Sequence, residues 1–225
     1  MICAVIAHKS YSEILSLLHS FSMAEIRLDL LDLTPGEIVG IFSSHPRLIV
    51  TCRKKDSVSD PDRLNALLNA LDHGAWAADI DLNDPPGFID AVKERRLHGD
   101  SRLILSCHHF NRTPASPYLE EVLASMRKLN PDIIKIAAYA QDTGDMLRLL
   151  AFYDHPCASE YPLILLSMGH RGILSRIAAP FLGAPFTYAA ADPSSITAPG
   201  QLSYSKMEQI FTLMGSGEKA KRDTP

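Results

Sequence analysis

The chain has 225 residues, 46% of them hydrophobic and 21% charged, which suits one large domain or two small ones with a substantial core. Its formal net charge of -4 excludes a general attraction to nucleic acid or to an anionic membrane. No apolar run approaches the roughly 20 residues that cross a bilayer. No basic segment precedes the first apolar run after Met1. We therefore expect a soluble, cytoplasmic protein.

Eight short apolar runs, most of them rich in β-branched residues, alternate with segments of helical character. The runs begin at Ile2, Met23, Arg47, Trp76, Arg102, Asp132, Pro162 and Ala184. Successive starts lie between 21 residues apart (Ile2 to Met23) and 30 apart (Asp132 to Pro162). Because that interval holds one strand and one crossover helix, the pattern predicts eight repeated strand–helix units.

Three of the intervening segments show the i, i+3, i+4, i+7 spacing of a buried helix face. The stripes are Ile14, Leu17, Leu18 and Phe21; Met146, Leu149, Leu150 and Tyr153; and Met207, Ile210, Phe211 and Met214. Ser10 and Glu13 are placed to form a capping box at the start of the first helix. A short helix is expected at about 173–179.

Eight strands alternating with eight helices predict an α/β protein with a (β/α)8 TIM barrel. A doubly wound sheet is the structural alternative, but it usually has a Gly-rich turn after its first strand. Here that turn reads AHKSYS, without glycine. We expect residues 1–214 to form a single catalytic barrel domain. Residues 215–225, GSGEKAKRDTP, are typical of a charged tail or linker.

Catalytic groups of such a barrel lie at the C-terminal ends of its strands and in the loops that follow. The polar residues at those positions are Glu25, Arg27, Asp29, Arg53, Asp79, Asp81, His108, His109, Lys135, Arg176, Thr197 and Gln201. The spacing of Glu25, Arg27 and Asp29 predicts that they share one strand face. Purely structural roles also fit these residues: an ion pair between Glu25 and Arg27, for example, or turns and caps in the last loop.

Lys135 lies inside the apolar run DIIKIAA, and lysine is rarely buried unless it is paired or functional. Its neighbours on the same strand face, Ile133 and Ala137, cannot neutralise it. A closed barrel offers no exposed edge strand to explain it. Burial disfavours the charged form of a lysine, and a free amine forms Schiff bases with carbonyls. We therefore expect an uncharged amine in the barrel mouth, with histidine nearby to move protons.

The arginines at the strand ends indicate the substrate. Arg27, Arg53 and Arg176 would surround the same cavity, and their planar donors suit a carboxylate or a row of hydroxyls. The expected substrate is a small, polar, acidic ketone. The cysteines contain no CxxC pair, so a thiolate zinc site is not expected. They are Cys3, Cys52, Cys107 and Cys157, and we interpret them as buried free thiols.

Six motifs in order resemble the type I 3-dehydroquinate dehydratase family of the shikimate pathway. They are EIRLD at 25–29, TCR at 51–53, SCHHFNRTP at 106–114, DIIKIA at 132–137, SMGHRGILSR at 167–176 and TAPGQLS at 197–203. The similarity extends from the first strand to about Leu213. It implies a TIM-barrel lyase of aromatic amino-acid biosynthesis that dehydrates 3-dehydroquinate to 3-dehydroshikimate without a metal or other cofactor.

The resemblance implies that Lys135 condenses with the C3 ketone, so that the iminium makes the C2 proton easier to remove. His108 matches the general base that takes this proton and returns one to the departing C1 hydroxyl. His109 stands where the family usually has Asp. Six positions match substrate-binding residues: Glu25, Arg27, Arg53, Arg176, Thr197 and Gln201. Among these, Arg176 matches the arginine that clamps the substrate carboxylate.

Three departures from the family pattern concern the support of the site. The stretch RKKDSVSD replaces a Glu-Gly-Gly stretch after the third strand, and Asp56 is a candidate substitute for its glutamate. The fourth strand reads Asp79-Ile80-Asp81 where the family often has Asp-x-Glu. Ala7 stands where some members have serine.

Other interpretations stay open at this level. The lysine would also serve an aldolase-like Schiff-base barrel, and a barrel could bind a small molecule without catalysis. A metal-dependent hydrolase using His8, His108 and His109 is a further alternative. We expect a small-molecule substrate and no nucleic-acid or membrane partner. A homodimer and a C-terminal fusion to shikimate dehydrogenase are both compatible with the sequence.

Overall fold

The computed structural model describes residues 1–97 and 99–215, and within them eight strands alternate with eight α-helices. The strands are β1 (Ile2–Ile6), β2 (Ala24–Arg27), β3 (Leu48–Thr51), β4 (Ala77–Asp81), β5 (Arg102–His109), β6 (Ile133–Tyr139), β7 (Leu163–Met168) and β8 (Thr187–Ala190). The helices are α1 (Tyr11–Leu18), α2 (Pro35–Ser43), α3 (Asp60–Asp72), α4 (Pro86–Leu97), α5 (Ser116–Lys128), α6 (Thr143–Leu150), α7 (Ile173–Ala178) and α8 (Tyr204–Leu213).

All strand pairs are parallel, and the sheet order is β7-β6-β5-β4-β3-β2-β1-β8. The predicted (β/α)8 TIM barrel is therefore confirmed, with one qualification. The hydrogen-bonded ladder stops between β7 and β8, which no backbone pair joins within the described strands. Helix α7 bridges this gap: the Thr187 hydroxyl on β8 donates to the carbonyl oxygen of Arg176 at 2.8 Å, and the Ser167 N–H on β7 donates to Ser175 Oγ at 2.7 Å. Lys135 lies on β6, which pairs with β5 and β7, so it is not on an edge strand.

Alternation along the strands divides the core in two. Every second side chain points into the barrel, where an apolar cluster includes Cys3, Met23, Ile49, Ala77, Ile104, Ile133, Ile164 and Phe186. The intervening side chains, such as Leu103 and Ile134, pack outward against the helices in a second, larger cluster. The register pairs Ile104 with Ile133 and Ser106 with Lys135. Lys135 therefore stands one layer above the apolar interior, towards the C-terminal mouth.

Helix starts follow from local sequence. The predicted capping box of α1 is confirmed, because the Glu13 carboxylate accepts from the Ser10 backbone N–H at 2.8 Å. Helix α2 begins in the same way with Thr34 and Glu37 and has Pro35 in its first turn, where proline removes no helical hydrogen bond. The short helix expected near 173–179 is α7.

One local prediction is wrong. Strand β2 ends at Arg27, and Asp29 belongs to a 3₁₀ turn over Leu28–Leu30, so it does not share the strand face of Glu25. The turn folds the Asp29 carboxylate back onto the guanidinium of Arg27. The predicted charged tail lies, apart from Gly215, outside the described residues. Among the described helices, none is both long and apolar enough to span a membrane.

Candidate active site

A cavity of about 380 Å³ opens at the C-terminal end of the barrel. All eight residues proposed from the sequence line it: Glu25, Arg27, Arg53, His108, Lys135, Arg176, Thr197 and Gln201. An apolar wall that includes Val5, Leu166 and Met168 completes it. A cavity of this size with convergent polar groups is typical of a small-molecule site.

Lys135 is only 7% exposed, and its amine is enclosed by groups from other strands. Its Nζ donates to Asp79 Oδ2 at 2.7 Å, lies 3.9 Å from Glu25 Oε1, and sits 4.2 Å from the ring centroid of Tyr188. The same face of β6 has no acidic residue to pair with Lys135, and Asp79 on β4 provides that carboxylate. This placement departs from the expectation of an uncharged amine, because the resting side chain is engaged as a salt bridge with Asp79.

Asp79 also binds Arg53, whose Nη2 donates to Asp79 Oδ1 at 2.6 Å. Burial alone would raise the pKa of this carboxyl, but the charges of Arg53 and Lys135 hold it well below its usual range. Asp79 is therefore a fixed carboxylate that orients two cations of the cavity and is a poor proton acceptor.

His108 is oriented by Asp81, the second carboxylate of β4. Its Nδ1 lies 2.8 Å from Asp81 Oδ2. Burial and the nearby guanidinium of Arg53 lower the pKa of His108, and the hydrogen bond to Asp81 only partly offsets them. Burial opposes the shift at Asp81, but the hydrogen bond from His108 holds its pKa below the ordinary value. An ionised Asp81 can only accept, so Nδ1 of the neutral imidazole carries the proton and Nε2 is free to accept one.

The ion pair suggested between Glu25 and Arg27 does not form. Arg27 instead forms a bidentate salt bridge with Asp29, in which Nε donates to Oδ1 at 2.9 Å and Nη2 donates to Oδ2 at 2.7 Å. Glu25 accepts a hydrogen bond from the Thr51 hydroxyl at 2.7 Å. Both side chains are thus fixed by neighbours and still face the cavity.

Arg176 differs from the other cavity arginines because it has no acidic partner among the residues that the structure describes. It comes from α7, is 3% exposed, and its Nε has no hydrogen-bond partner among the described residues. Burial alone lowers its pKa to about 10. A buried guanidinium without a counter-ion is costly, so the arrangement favours an anion in the cavity.

The loop between β8 and α8 carries Thr197 and Gln201. The Thr197 backbone N–H donates to Gln201 Oε1 at 2.9 Å, which closes a tight turn over the cavity. The loop is tied to the one after β7, where the Gly169 N–H donates to the Pro199 carbonyl at 3.0 Å. The turn role suggested for these residues is therefore present together with a place in the cavity wall, but the cap role is not, because the N-cap of α8 is Ser203.

Asp56 does not replace the family glutamate. It is exposed and is not part of the cavity wall, which on this side is formed by Lys54. Of the residues in RKKDSVSD, the cavity wall includes Arg53 and Lys54 but not the Asp56 carboxylate.

Sequence reasoning did not assign site roles to four residues that matter here. Asp79 and Asp81 were recognised as strand-end carboxylates, and their shared face with period two could have placed them opposite Lys135 and His108. Phe110, which stacks on the His108 ring at 5.7 Å, immediately follows the histidine pair. Tyr188 reads as an ordinary aromatic core residue, and its contact with Lys135 is visible only in three dimensions.

The three histidines of the metal hypothesis do not converge. His108 faces the cavity, whereas His109 lies on the opposite face of β5, 3.5 Å from the Cys107 thiol. His8 is exposed. Over residues 1–97 and 99–215, no group of three or more His, Cys, Asp or Glu side chains is arranged to hold a metal ion.

Comparison with known proteins identifies relatives over almost the whole chain. The family model for type I 3-dehydroquinase matches residues 2–218. A 3-dehydroquinate dehydratase from Dehalococcoides mccartyi is 30% identical over 215 residues, covering 93% of this chain and 94% of the relative.

Solved structures show the same fold. The type I 3-dehydroquinate dehydratase from Clostridium difficile with covalently modified comenic acid has a TM-score of 0.82 at 24% identity, covering 96% of this chain and 93% of that one. The dehydroquinate dehydratase and shikimate dehydrogenase of S. pombe has a TM-score of 0.76 at 23% identity, covering 95% of this chain but 44% of that one. From the family match and the curated relative, we conclude that the chain belongs to the type I 3-dehydroquinase family.

Proposed function

We propose that the protein dehydrates 3-dehydroquinate to 3-dehydroshikimate through an imine on Lys135. Family membership supports the reaction. The single observation that carries the chemistry is the meeting of a buried lysine, a neutral histidine and an unpaired arginine around one cavity. The enzyme is accordingly a hydro-lyase of the shikimate pathway.

In this mechanism Arg176 binds the substrate carboxylate and so orients the ring over Lys135. Because the guanidinium meets no counter-ion within the described part of the chain, the substrate supplies the charge that the buried site lacks. Glu25, Arg27 and Arg53 bind the ring hydroxyls, and Thr197 and Gln201 close over the ligand. The fixed geometry of the paired arginines reduces the entropy lost on binding.

Lys135 must lose a proton before its nitrogen attacks the C3 ketone. Asp79 is a poor acceptor for that proton, whereas His108 offers a free Nε2 in the same cavity. Once the iminium has formed, it withdraws electrons from C2, and His108 removes the C2 proton and later delivers a proton to the departing C1 hydroxyl. A histidine suits both transfers because the unperturbed pKa of an imidazole lies close to neutral pH.

Reductive trapping tests this function. We expect borohydride added with 3-dehydroquinate to inactivate the enzyme and to leave one stable mass adduct, which peptide mapping places on Lys135. Turnover should appear as the absorbance of a conjugated enone. Lys135→Ala should lose turnover and the adduct while retaining some ligand binding, since the arginine groups remain. Lys9→Ala removes a lysine paired with Asp192 outside the cavity wall and serves as the matched control.

Two outcomes would reject the mechanism. The first is a folded wild-type protein that turns the substrate over but gives no adduct with borohydride. The second is near-normal turnover by Lys135→Ala. Absence of turnover by the wild-type protein would reject the reaction itself.

Three further features of the proposal concern the protein as a whole. Residues 1–214 act as a single catalytic domain located in the cytoplasm, and a homodimer is one arrangement compatible with the sequence. The S. pombe relative is named for both dehydroquinate dehydratase and shikimate dehydrogenase, which supports a fused arrangement as one context for this fold. Size-exclusion chromatography with light scattering distinguishes a 24.7 kDa monomer from a dimer.

A further inference from the structure

Tyr188 contacts the amine proposed to form the imine. It lies on β8, is 3% exposed, and forms part of the cavity wall. The amine of Lys135 sits 4.2 Å from the centre of its ring, a distance at which the ring face attracts a cation. The ring of Phe186, 5.3 Å away, packs against it from the apolar interior.

The hydroxyl of Tyr188 is unusual because it is buried and has no hydrogen-bond partner within the described part of the chain. A buried hydroxyl without a partner costs free energy of folding, and phenylalanine would fill the same space without that cost. Burial, followed by the carboxylates of Glu25 and Asp79, raises the pKa of Tyr188 well above its usual value. The group is therefore an O–H donor that the resting protein leaves unused.

Only two other buried side-chain polar atoms share this condition in the described residues, and they differ in position. Arg176 Nε belongs to the proposed carboxylate site, and Ser167 Oγ lies on β7 on the face opposite to its neighbours Leu166 and Met168, which line the cavity. Of the three, Tyr188 alone contacts Lys135.

We propose that Tyr188 takes part in imine formation: its ring holds the Lys135 amine, and its hydroxyl donates to the oxygen on the carbon that the amine attacks. This inference rests on the proposed function. In the step, the lysine nitrogen bonds to the ketone carbon and the carbon–oxygen bonds break. An ammonium group and a ketone give an iminium ion and one water, and two of the three amine protons leave with the oxygen. Tyr188 keeps its own proton and stabilises the negative charge that develops on that oxygen.

Three variants of the full chain separate the ring, the hydroxyl and simple packing. Tyr188→Phe removes only the hydroxyl, and Tyr188→Leu removes the ring as well. Phe186→Leu removes a ring of the same interior cluster that does not line the cavity, and is the matched control. Each variant is mixed with 3-dehydroquinate, quenched with borohydride at short intervals and analysed by intact mass. The melting temperature of each variant is measured separately.

Tyr188→Phe should form the adduct about tenfold more slowly than the wild type, the size expected for one lost hydrogen bond. Its melting temperature should equal the wild-type value or exceed it by about 2–4 °C, because an unsatisfied hydroxyl is gone. Tyr188→Leu should form the adduct more slowly than Tyr188→Phe, because it lacks the ring as well as the hydroxyl. Phe186→Leu should melt earlier but form the adduct at the wild-type rate.

Adduct formation by Tyr188→Phe at the wild-type rate would overturn the inference. A slowing of adduct formation in Phe186→Leu as large as that in Tyr188→Phe would also overturn it, because general loss of packing would then explain both variants. Failure of the wild-type protein to form any adduct is a different result. It would reject the imine mechanism first, and this inference with it.

Discussion

His108 can act as a base only if the correct ring nitrogen is free, and one hydrogen bond determines this. The carboxylate of Asp81 accepts from Nδ1 and so leaves Nε2 as the acceptor. Since the pKa of His108 is lowered, the neutral form is present at neutral pH and is lost only as the pH falls through that lowered value.

Asp81→Asn should lower kcat by about 100-fold or more, because an amide can donate to Nδ1 and leave the proton on Nε2. Removing the carboxylate also removes the interaction that raises the His108 pKa. The acid limb of the remaining activity should therefore move to lower pH. The enone absorbance, followed as a function of pH, measures both effects.

His109→Asn is the control for this experiment. It removes the adjacent imidazole, which lies outside the cavity, and should change neither kcat nor the pH profile. A kcat of Asp81→Asn close to the wild-type value would show that Asp81 does not set the tautomer.

At the scale of elements, one arginine of α3 joins the ends of β3 and β4. Arg63 is 1% exposed, and its Nε and Nη2 donate to the carbonyl of Cys52 at 3.0 and 2.8 Å. Nη2 also donates to Asp84 Oδ1 at 2.9 Å, and Asp84 Oδ2 accepts from the Asp81 N–H at 3.1 Å. A single side chain thus fixes the residue before Arg53 and the backbone of Asp81.

Arg63→Lys should lower kcat by about 10- to 100-fold, because one ammonium group cannot replace the planar fork and the cavity groups move slightly. Borohydride trapping on Lys135 should still occur. Arg148→Lys is the control, since Arg148 pairs with Asp145 on α6 and is not part of the cavity wall. Both variants should be less stable to urea, but only Arg63→Lys should lose kcat. Equal kcat values in the two variants would remove the positioning role.

The loop over the cavity depends on the backbone of Gly200. Its φ of 76° suits glycine, and an added Cβ would meet the Gly169 carbonyl oxygen at 2.4 Å. Any side chain would therefore separate this loop from the one after β7.

Gly200→Ala should raise KM about tenfold or more with a smaller effect on kcat, since Thr197 and Gln201 would no longer close over the substrate. Gly36→Ala provides the control. It lies in the first turn of α2, where an added Cβ meets nothing within 4 Å, and should leave KM unchanged. An unchanged KM in Gly200→Ala would mean that the loop does not contribute to binding.

At the scale of the whole molecule, the sequence was sufficient for the barrel because the evidence for it is periodic. Apolar runs recurring every 21–30 residues determine eight strand–helix units, and strand ends then determine which polar residues face the mouth. This reasoning gave twelve candidates, from which the family resemblance selected eight; all eight line the cavity, and their individual roles remain predictions.

Contacts across the barrel could not be predicted in the same way. Lys135 meets Asp79 from a strand two positions away in the sheet, and the pairing depends on barrel closure rather than on spacing along one strand. Arg63 reads as an ordinary helix charge, because its burial results from the packing of α3 against the strand ends. The turn that removes Asp29 from β2 also depends on tertiary contact, since Lys55 donates to its carbonyl oxygen.

The interrupted ladder between β7 and β8 has a consequence for how the site adapts to its ligand. Arg176 is carried by the helix that spans this interruption, whereas Lys135 lies on a strand hydrogen-bonded on both sides. A small rotation of that helix would change the separation of Arg176 and Lys135 without breaking any of the seven parallel pairings among the described strands. Differences between ligands in the spacing of carboxylate and ketone are therefore expected to be taken up at α7, while the backbone of Lys135 keeps its place in the sheet.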